Sequence, residues 1–502
     1  MNAIRSFDDV GSRLEEDADF VVVGTGAAGS TAAWVLAEAG HDVLMVEEGP
    51  PVAKEDFGDP TFPALATMYR GGGVEAFTGR SMITTLQGRV VGGSTVVNSA
   101  IAWRVPESSY DRWAFDPAIR AAFPLEELHR HWDALDEVMS VTPTGADIAG
   151  RGNTLAAIGA EAMGWSGKPM NRFTRGCKGS GHCQQGCPND AKMSTAMTLI
   201  PMAQQRGARV LASCRVNKVV LDDSGRATGV EARMIDPVRR RRGPSVNLRA
   251  RKGVVLAPAC LQLPGLLRAS GYRHAELGHH FQCHPGASLM PFFDEEVRYW
   301  DGATQGWETD EFFEEGMKFE VVNVPVEVNV GRLPGVGRDL ARVIRDLRYA
   351  GSWALLVRME AEGRVGGRPG GSTRVSYTPT RYDMERLRRG LHRFAQIAFA
   401  AGARRISTGI YGLPPFLEPG QADLILDASL DPRCYTMVAT HLFGTARAAG
   451  NEKDGVCSPE LRPWGTESLW VVDSSVFPKN LGVNPQHMIQ AVARHAAERI
   501  AG

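Results

Sequence analysis

The first strong pattern in the chain is an unbroken apolar run, Phe20-Val21-Val22-Val23, which ends in Gly24-Thr25-Gly26-Ala27-Ala28-Gly29-Ser30 and passes into an Ala/Leu-rich stretch up to Gly40. A β-branched run without alternation predicts a strand buried on both faces, and residues 30–39 have helical composition. A second apolar strand follows at Val43–Val46 and runs into Glu47-Glu48-Gly49-Pro50. Further on, residues 209–211 and 217–221 read as strands, Asp222-Asp223-Ser224-Gly225 as a turn into a hairpin arm, and 253–257 as another buried strand. From about 291 to 377 the pattern alternates, and 320–328, 353–362 and 373–377 are expected to be antiparallel strands. Residues 383–401 carry Met384, Leu387, Leu391, Phe394, Ile397 and Ala398 at helical spacing. The chain closes with a strand at 468–473 and a helix at about 485–500, and nothing repeats internally.

Strand, Gly-x-Gly-x-x-Gly, helix, strand, acid is far more specific than the glycines alone. Gly24 permits the tight turn, Gly26 lets backbone approach a pyrophosphate, and Gly29 allows the helix to pack close to the strand. The helix N-terminus offers partial positive charge to phosphates, and Glu47 is placed to accept from ribose hydroxyls. A second cluster, Gly88-Arg89-Val90-Val91-Gly92-Gly93-Ser94 running on to Asn98, is flanked by apolar residues. That setting predicts a buried loop against a ligand rather than a surface loop.

Composition changes this picture only through glycine, at 56 of 502 residues, or about 11% against a usual ~7%. An excess without low-complexity repeats fits a chain that wraps a large cofactor. The 56 Lys+Arg and 57 Asp+Glu leave a net charge of −1, which gives no footprint for nucleic acid or an anionic membrane. The acidic N-terminal twenty residues lack a signal peptide's apolar core, and no apolar run reaches the ~18–20 residues of a spanning helix, so no membrane span and a cytoplasmic location are expected. The run Arg239 to Arg242 beside Gly243-Pro244 reads as a solvated hairpin tip.

With these motifs in order, the chain resembles the glucose–methanol–choline family of flavoprotein oxidoreductases over nearly its whole length. Gly24 to Glu47 resembles the family's FAD-binding βαβ unit, and Gly88-Arg89-Val90-Val91-Gly92-Gly93-Ser94 through Asn98 its first signature loop. Val216 resembles the valine that meets the adenine. His441-Leu442-Phe443-Gly444-Thr445-Ala446-Arg447 is similar to the segment that carries the catalytic histidine. Val471-Val472-Asp473-Ser474-Ser475, then Gly482-Val483-Asn484-Pro485, is similar to the closing strand and catalytic helix, with Asp473, Asn484 and Pro485 at cofactor-contact positions.

The resemblance implies oxidation of an alcohol to a carbonyl, with hydride passed to flavin N5, His441 as base and Asn484 holding the same hydroxyl. A base of near-neutral pKa suits that task. A lyase or decarboxylase on the same fold is the alternative. His487, one turn into the last helix, is read as structural. The place of the histidine that links FAD covalently in some members is Val97 here, so FAD is expected to be non-covalent. Where the family has a glycine near the cofactor this chain reads Ala257-Pro258-Ala259-Cys260, and the end of the histidine motif is altered to Arg447-Ala448-Ala449-Gly450. The electron acceptor (oxygen, a quinone or a redox protein) is open, and the substrate is a small-molecule alcohol.

Cys177, Cys183 and Cys187 stand on a Gly-rich loop and need a separate account. Three thiolates there can ligate an iron–sulfur cluster, which resembles the cysteine segment of cytochrome-linked sugar dehydrogenases of the family. A purely structural loop or a disulfide are the other readings, and zinc with His182 is disfavoured by the adjacency of Cys183. The fold class expected is α/β: a doubly wound Rossmann-like FAD-binding domain assembled from discontinuous segments (1–115, 190–290 and 441–502). A cap segment with the cysteine loop (116–189) and a substrate domain with an antiparallel sheet (291–440) complete it. Trp300, Trp307, Trp353 and Tyr411 are candidate aromatics for an apolar or sugar-stacking pocket, although aromatics in such a region are more often core.

Overall fold

The computed structural model describes residues 4–58, 60–367 and 373–502. Two sheets organise it. The first has the strands 209–211, Val43–Val46 (β2), Leu14–Val23 (β1) and Arg242–Leu256 in parallel, extended antiparallel by Ala227–Ile235 and Cys214–Leu221. Arg242–Leu256 is shared: its first half pairs with Ala227–Ile235, and its end pairs in parallel with Leu469–Val471. The apolar runs seen in the sequence are this sheet's centre, since Val21, Val22, Leu44, Met45, Val254 and Val255 are all fully buried. Burial on both faces is what parallel strands require, at roughly 1.5–3 kcal/mol per large aliphatic side chain. The helix Ala27–Glu38 (α1) follows β1, and the helix Gln486–Ala501 (α2) packs against it.

The second sheet is built around the strands Gln282–Phe292 (β3), Met317–Val321 (β4), Trp353–Val357 (β5) and Met437–Phe443 (β6), in the order β6-β3-β5-β4. Its far side is covered by the capped helix Arg381–Ala400, whose Leu387, Leu391 and Phe394 are buried as their spacing predicts. Residues 75–77, 83–85 and 168–169 also join this sheet, and most of β3 itself falls before residue 291. The second sheet therefore draws on stretches that the sequence reading placed with the first domain and the cap. The expected strand over 320–328 ends at Val321, and Pro325 caps a short helix, Val326–Val330. The arginine run lies at the hairpin tip between Ile235 and Arg242 as expected. Among the described residues no helix is long and apolar enough to cross a membrane.

Candidate active site

A cavity of about 1010 Å³ is lined by the C-terminal ends of the first sheet's parallel strands and by one face of the second sheet. Its first wall is the β1–α1 turn. Gly24 has φ +97°, and a Cβ there would lie 2.3 Å from the Ala257 carbonyl oxygen. A Cβ on Gly29 would lie 1.9 Å from the Gly24 oxygen, so the helix can approach the strand only without these side chains. At Gly26, the N-cap of α1, no side chain caps the helix, and a Cβ would meet nothing nearer than Gly93 Cα at 4.0 Å. Uncapped N–H groups on an open glycine wall make a cradle that fits a dinucleotide's pyrophosphate.

Glu47 ends β2 on the same wall. Its carboxylate accepts from the Thr25 N–H (3.0 Å), the Thr25 hydroxyl (2.8 Å) and the Gly49 N–H (2.8 Å), while burial pushes its pKa up. The Gly92 N–H donates to the Thr25 hydroxyl, which ties the second glycine loop to this corner, and the Gly88 N–H donates to Ser94 Oγ within that loop. Gly88, Gly93, Ser94 and Asn98 line the cavity, as do Val216, Asp473, Asn484, Pro485 and His441. Gly29 and Gly92 support the wall from behind. Arg89 is buried behind it with Nε and one Nη unpartnered. Asp473 accepts from the Ala259 and Ser475 N–H groups (2.8 and 2.9 Å), and burial pushes its carboxyl up. The first of these bonds holds Ala259 at φ +76°, a backbone region where glycine is the usual residue.

The reactive end of the cavity is made by the second sheet and the approach to α2. The pairing of β3 with β6 jumps from Cys283–Leu442 to Pro285–Ala439, so Thr440 and His441 together oppose the single residue His284. This bulge turns both side chains of β6 out of alternation, and His441 lines the cavity. Its Nδ1 is 3.3 Å from Nδ1 of His284, with the rings edge to face. His284 Nε2 is 3.1 Å from Asn480 Oδ1, whose amide is oriented by donation to the Met359 carbonyl (2.8 Å) and Gln282 Oε1 (3.2 Å). The Gly482 N–H also points at His284 Nε2, at 2.9 Å. Burial lowers the pKa of His441 to about 4 and that of His284 well below the usual range, so both rings are neutral at neutral pH.

Asn484 is fixed by residues that sequence reasoning missed. Lys318, fully buried on β4, donates to Asn484 Oδ1 (2.8 Å), to Glu308 Oε2 (2.8 Å) and to Glu320. Gln305 and Trp103 donate to the same carboxylates, each by a short bond (2.6 and 2.5 Å). Burial pushes Lys318 down, but the two carboxylates outweigh it and raise its pKa, while burial pushes the Glu308 carboxyl up. An ammonium only donates, so the Asn484 oxygen is committed to it and the Nδ2 N–H groups are left for the cavity. The only trace in the sequence is Lys318-Phe319-Glu320, which reads like the solvated face of an alternating strand.

His487 is buried off the cavity, with Nε2 2.9 Å from Asp136 Oδ1 and its ring edge-on to Phe173. None of Trp300, Trp307, Trp353 and Tyr411 lines the cavity: Trp353 stacks on Phe394 in the core, and Tyr411 is exposed. Cys177, Cys183 and Cys187 do not line it either, although Gln184 and Gln185 of their loop do. All eight cysteines are free. The buried Arg172 guanidinium donates to Cys183 Sγ (3.0 Å) and Cys177 Sγ (3.7 Å). Burial pushes the Cys183 thiol up, but Arg172 and Lys192 outweigh it and hold it below the ordinary thiol range. Lys192 binds the carbonyls of Cys183 (2.5 Å) and Asn98 (3.0 Å), which latches this loop to the cofactor-side loop.

Comparison with known proteins agrees with this architecture. A GMC oxidoreductase N-terminal profile matches residues 18–286, and a C-terminal one matches 365–493. An uncharacterized GMC-type oxidoreductase of Mycobacterium tuberculosis is 35% identical over 487 residues, which cover 96% of this chain and 75% of the relative. A long-chain-alcohol oxidase of Arabidopsis thaliana is 26% identical over 521 residues, covering 97% and 67%. The crystal structure of pyridoxine 4-oxidase from Mesorbium loti superposes with a TM-score of 0.72 at 18% identity, over 96% of this chain and 98% of that one. The chain belongs to the GMC oxidoreductase family.

Proposed function

We propose that this protein binds FAD non-covalently and oxidises an alcohol to a carbonyl, with His441 as the base and Asn484 as the donor to the same oxygen. The observation that carries this reading is the pairing of a neutral imidazole and an oriented amide on one cavity wall. The glycine cradle from Gly24 to Gly29 receives the pyrophosphate and Glu47 the ribose, while the loop from Gly88 to Asn98, Val216, Asp473 and Pro485 hold the rest. The flavin, when bound, supplies the acceptor for the carbinol hydride.

The chain's own residues supply positioning and proton transfer. Asn484 Nδ2 donates to the substrate oxygen and stabilises the negative charge that grows there as its proton leaves. His441 takes that proton on Nε2. This needs Nδ1–H of His441 to face His284, which in turn carries its own proton on Nε2 toward Asn480 Oδ1. The opposite tautomer, favoured by the Gly482 N–H, leaves His441 with a proton where the base is needed.

The thiol–guanidinium contacts favour a structural role for the cysteine loop over an iron–sulfur centre. Arg172 fills the space between Cys177 and Cys183 that an inorganic core needs. The alcohol reading is tested by mixing the yellow holoprotein anaerobically with a panel of primary and secondary alcohols. Bleaching of the flavin with one carbonyl formed per flavin supports it. Absence of bleaching by every alcohol contradicts it.

A further inference from the structure

Beyond His441 the cavity continues along the face of the second sheet, and its far end carries a charge that no carboxylate among the described residues answers. The floor between the two ends is made of small or apolar side chains: Val438 on β6, Gly286 and Ser288 on β3, Ala354 on β5, with Val322 and Val324 at the side. The register puts Gly286 opposite Val438 and Ser288 opposite Ala354, so these residues form one continuous strip. At the end of the strip, two residues past the helix Val326–Val330, stands Arg332, half-buried on the wall of the same cavity. Among the described residues its guanidinium makes a single, long hydrogen bond, Nη2 to the Thr436 carbonyl at 3.5 Å. Among the described residues no carboxylate pairs with it. Burial lowers its pKa, and no anionic neighbour offsets this.

A guanidinium is a planar fork of five donors that suits a carboxylate's two oxygens. A phosphate would bring a second charge for which this end of the cavity has no partner. The opposite end carries two carboxyls, Glu308 and Glu320, that already occupy the one ammonium there, Lys318, so it offers a substrate carboxylate no free cation. Thr436, beside Arg332, stands just before β6 and five residues ahead of His441. At ~3.3 Å per residue that is roughly 16 Å, a span covered by an extended chain of about thirteen bonds.

We propose that Arg332 receives the carboxylate of an elongated, apolar substrate whose terminal hydroxyl lies between His441 and Asn484, so that the enzyme takes an ω-hydroxy carboxylate in one fixed direction. This inference rests on the alcohol-oxidation reading and narrows it to a substrate class. The hydroxyl and its chain enter first, and the charged head stays at the half-exposed rim, where desolvation costs least. The reaction is the one already described: the O–H proton goes to His441 and the carbinol hydride to the bound flavin, while the carboxylate is unchanged.

The test compares ω-hydroxydodecanoate with its methyl ester in anaerobic flavin reduction by the holoprotein, for the natural chain, Arg332→Gln and Arg332→Lys. The acid is expected to half-saturate at about tenfold lower concentration than the ester. Arg332→Gln removes that advantage, and Arg332→Lys keeps part of it. Equal behaviour of acid and ester in the natural chain, or equal weakening of both in Arg332→Gln, overturns the proposal. A second arm titrates plain dodecanoate into the holoprotein by calorimetry. About tenfold tighter binding to the natural chain than to Arg332→Gln supports the carboxylate seat even if neither hydroxy compound reduces the flavin, in which case the alcohol reading alone fails. Equal or absent binding overturns the seat.

Discussion

Lys318 decides which way Asn484 faces, because its three N–H donors are shared among Glu308, Glu320 and the Asn484 oxygen. Asn484→Asp keeps a carboxylate oxygen for Lys318 but replaces the two cavity-facing N–H donors with a second anionic oxygen. We expect flavin reduction by a primary alcohol to slow by about 10²–10³-fold with FAD content unchanged, as measured by anaerobic stopped flow. A change below about tenfold would show that the amide does not hold the reacting oxygen. Val97 leads to a second expectation at this scale: it is buried on the cavity wall and offers no nucleophile for a bond to the flavin. Acid precipitation should release all the flavin into the supernatant, and flavin retained in the pellet would contradict this. The sequence shows His441 and Asn484 because each sits in a distinctive local run of residues. His284 and Lys318 were not legible, since their roles come from pairing across strands far apart in the chain.

Two elements position the chemistry, the β1–α1 turn and the bulge on β6. In the turn, a methyl group at position 29 would overlap the Gly24 carbonyl, which is backbone and cannot swing away. Gly29→Ala is therefore expected to destabilise the protein by about 3 kcal/mol and to lower FAD occupancy sharply, measured as the flavin-to-protein absorbance ratio. Full occupancy would show that helix and strand can part without harm. This turn was readable from the sequence because its glycine spacing is local. The bulge was not, because nothing local in Met437-Val438-Ala439-Thr440-His441-Leu442-Phe443 shows that two of its residues oppose one across the ladder. The expected strand at 320–328 failed for a local reason: Pro325 cannot donate in a ladder and instead opens a helix.

Across the whole molecule, both sheets were foreseen in kind, but their boundaries were not, since strands from 75–85 and 282–292 cross into the second sheet. Such pairings depend on contacts between distant segments rather than on local pattern. The assembled core also buries several imidazoles. His131, fully buried on the helix Leu125–Val138, bonds His495 on α2 at 3.1 Å, and burial lowers its pKa to about 4. The unfolded chain binds a proton here near pH 6.5 while the folded protein does not, so this group costs stability as pH falls from about 6.5 toward 4. His131→Phe should be less stable than the natural chain at pH 7, with the gap narrowing toward pH 5 in thermal unfolding at fixed FAD. A gap that widens on acidification would contradict the burial of a neutral ring.

The central claim is that His441 takes the hydroxyl proton. Its most direct test is the rate constant of anaerobic flavin reduction by a primary alcohol in His441→Ala, at pH 7 and equal FAD content. The account predicts a rate at least about 10²-fold below that of the natural chain. A rate near that of the natural chain would contradict it.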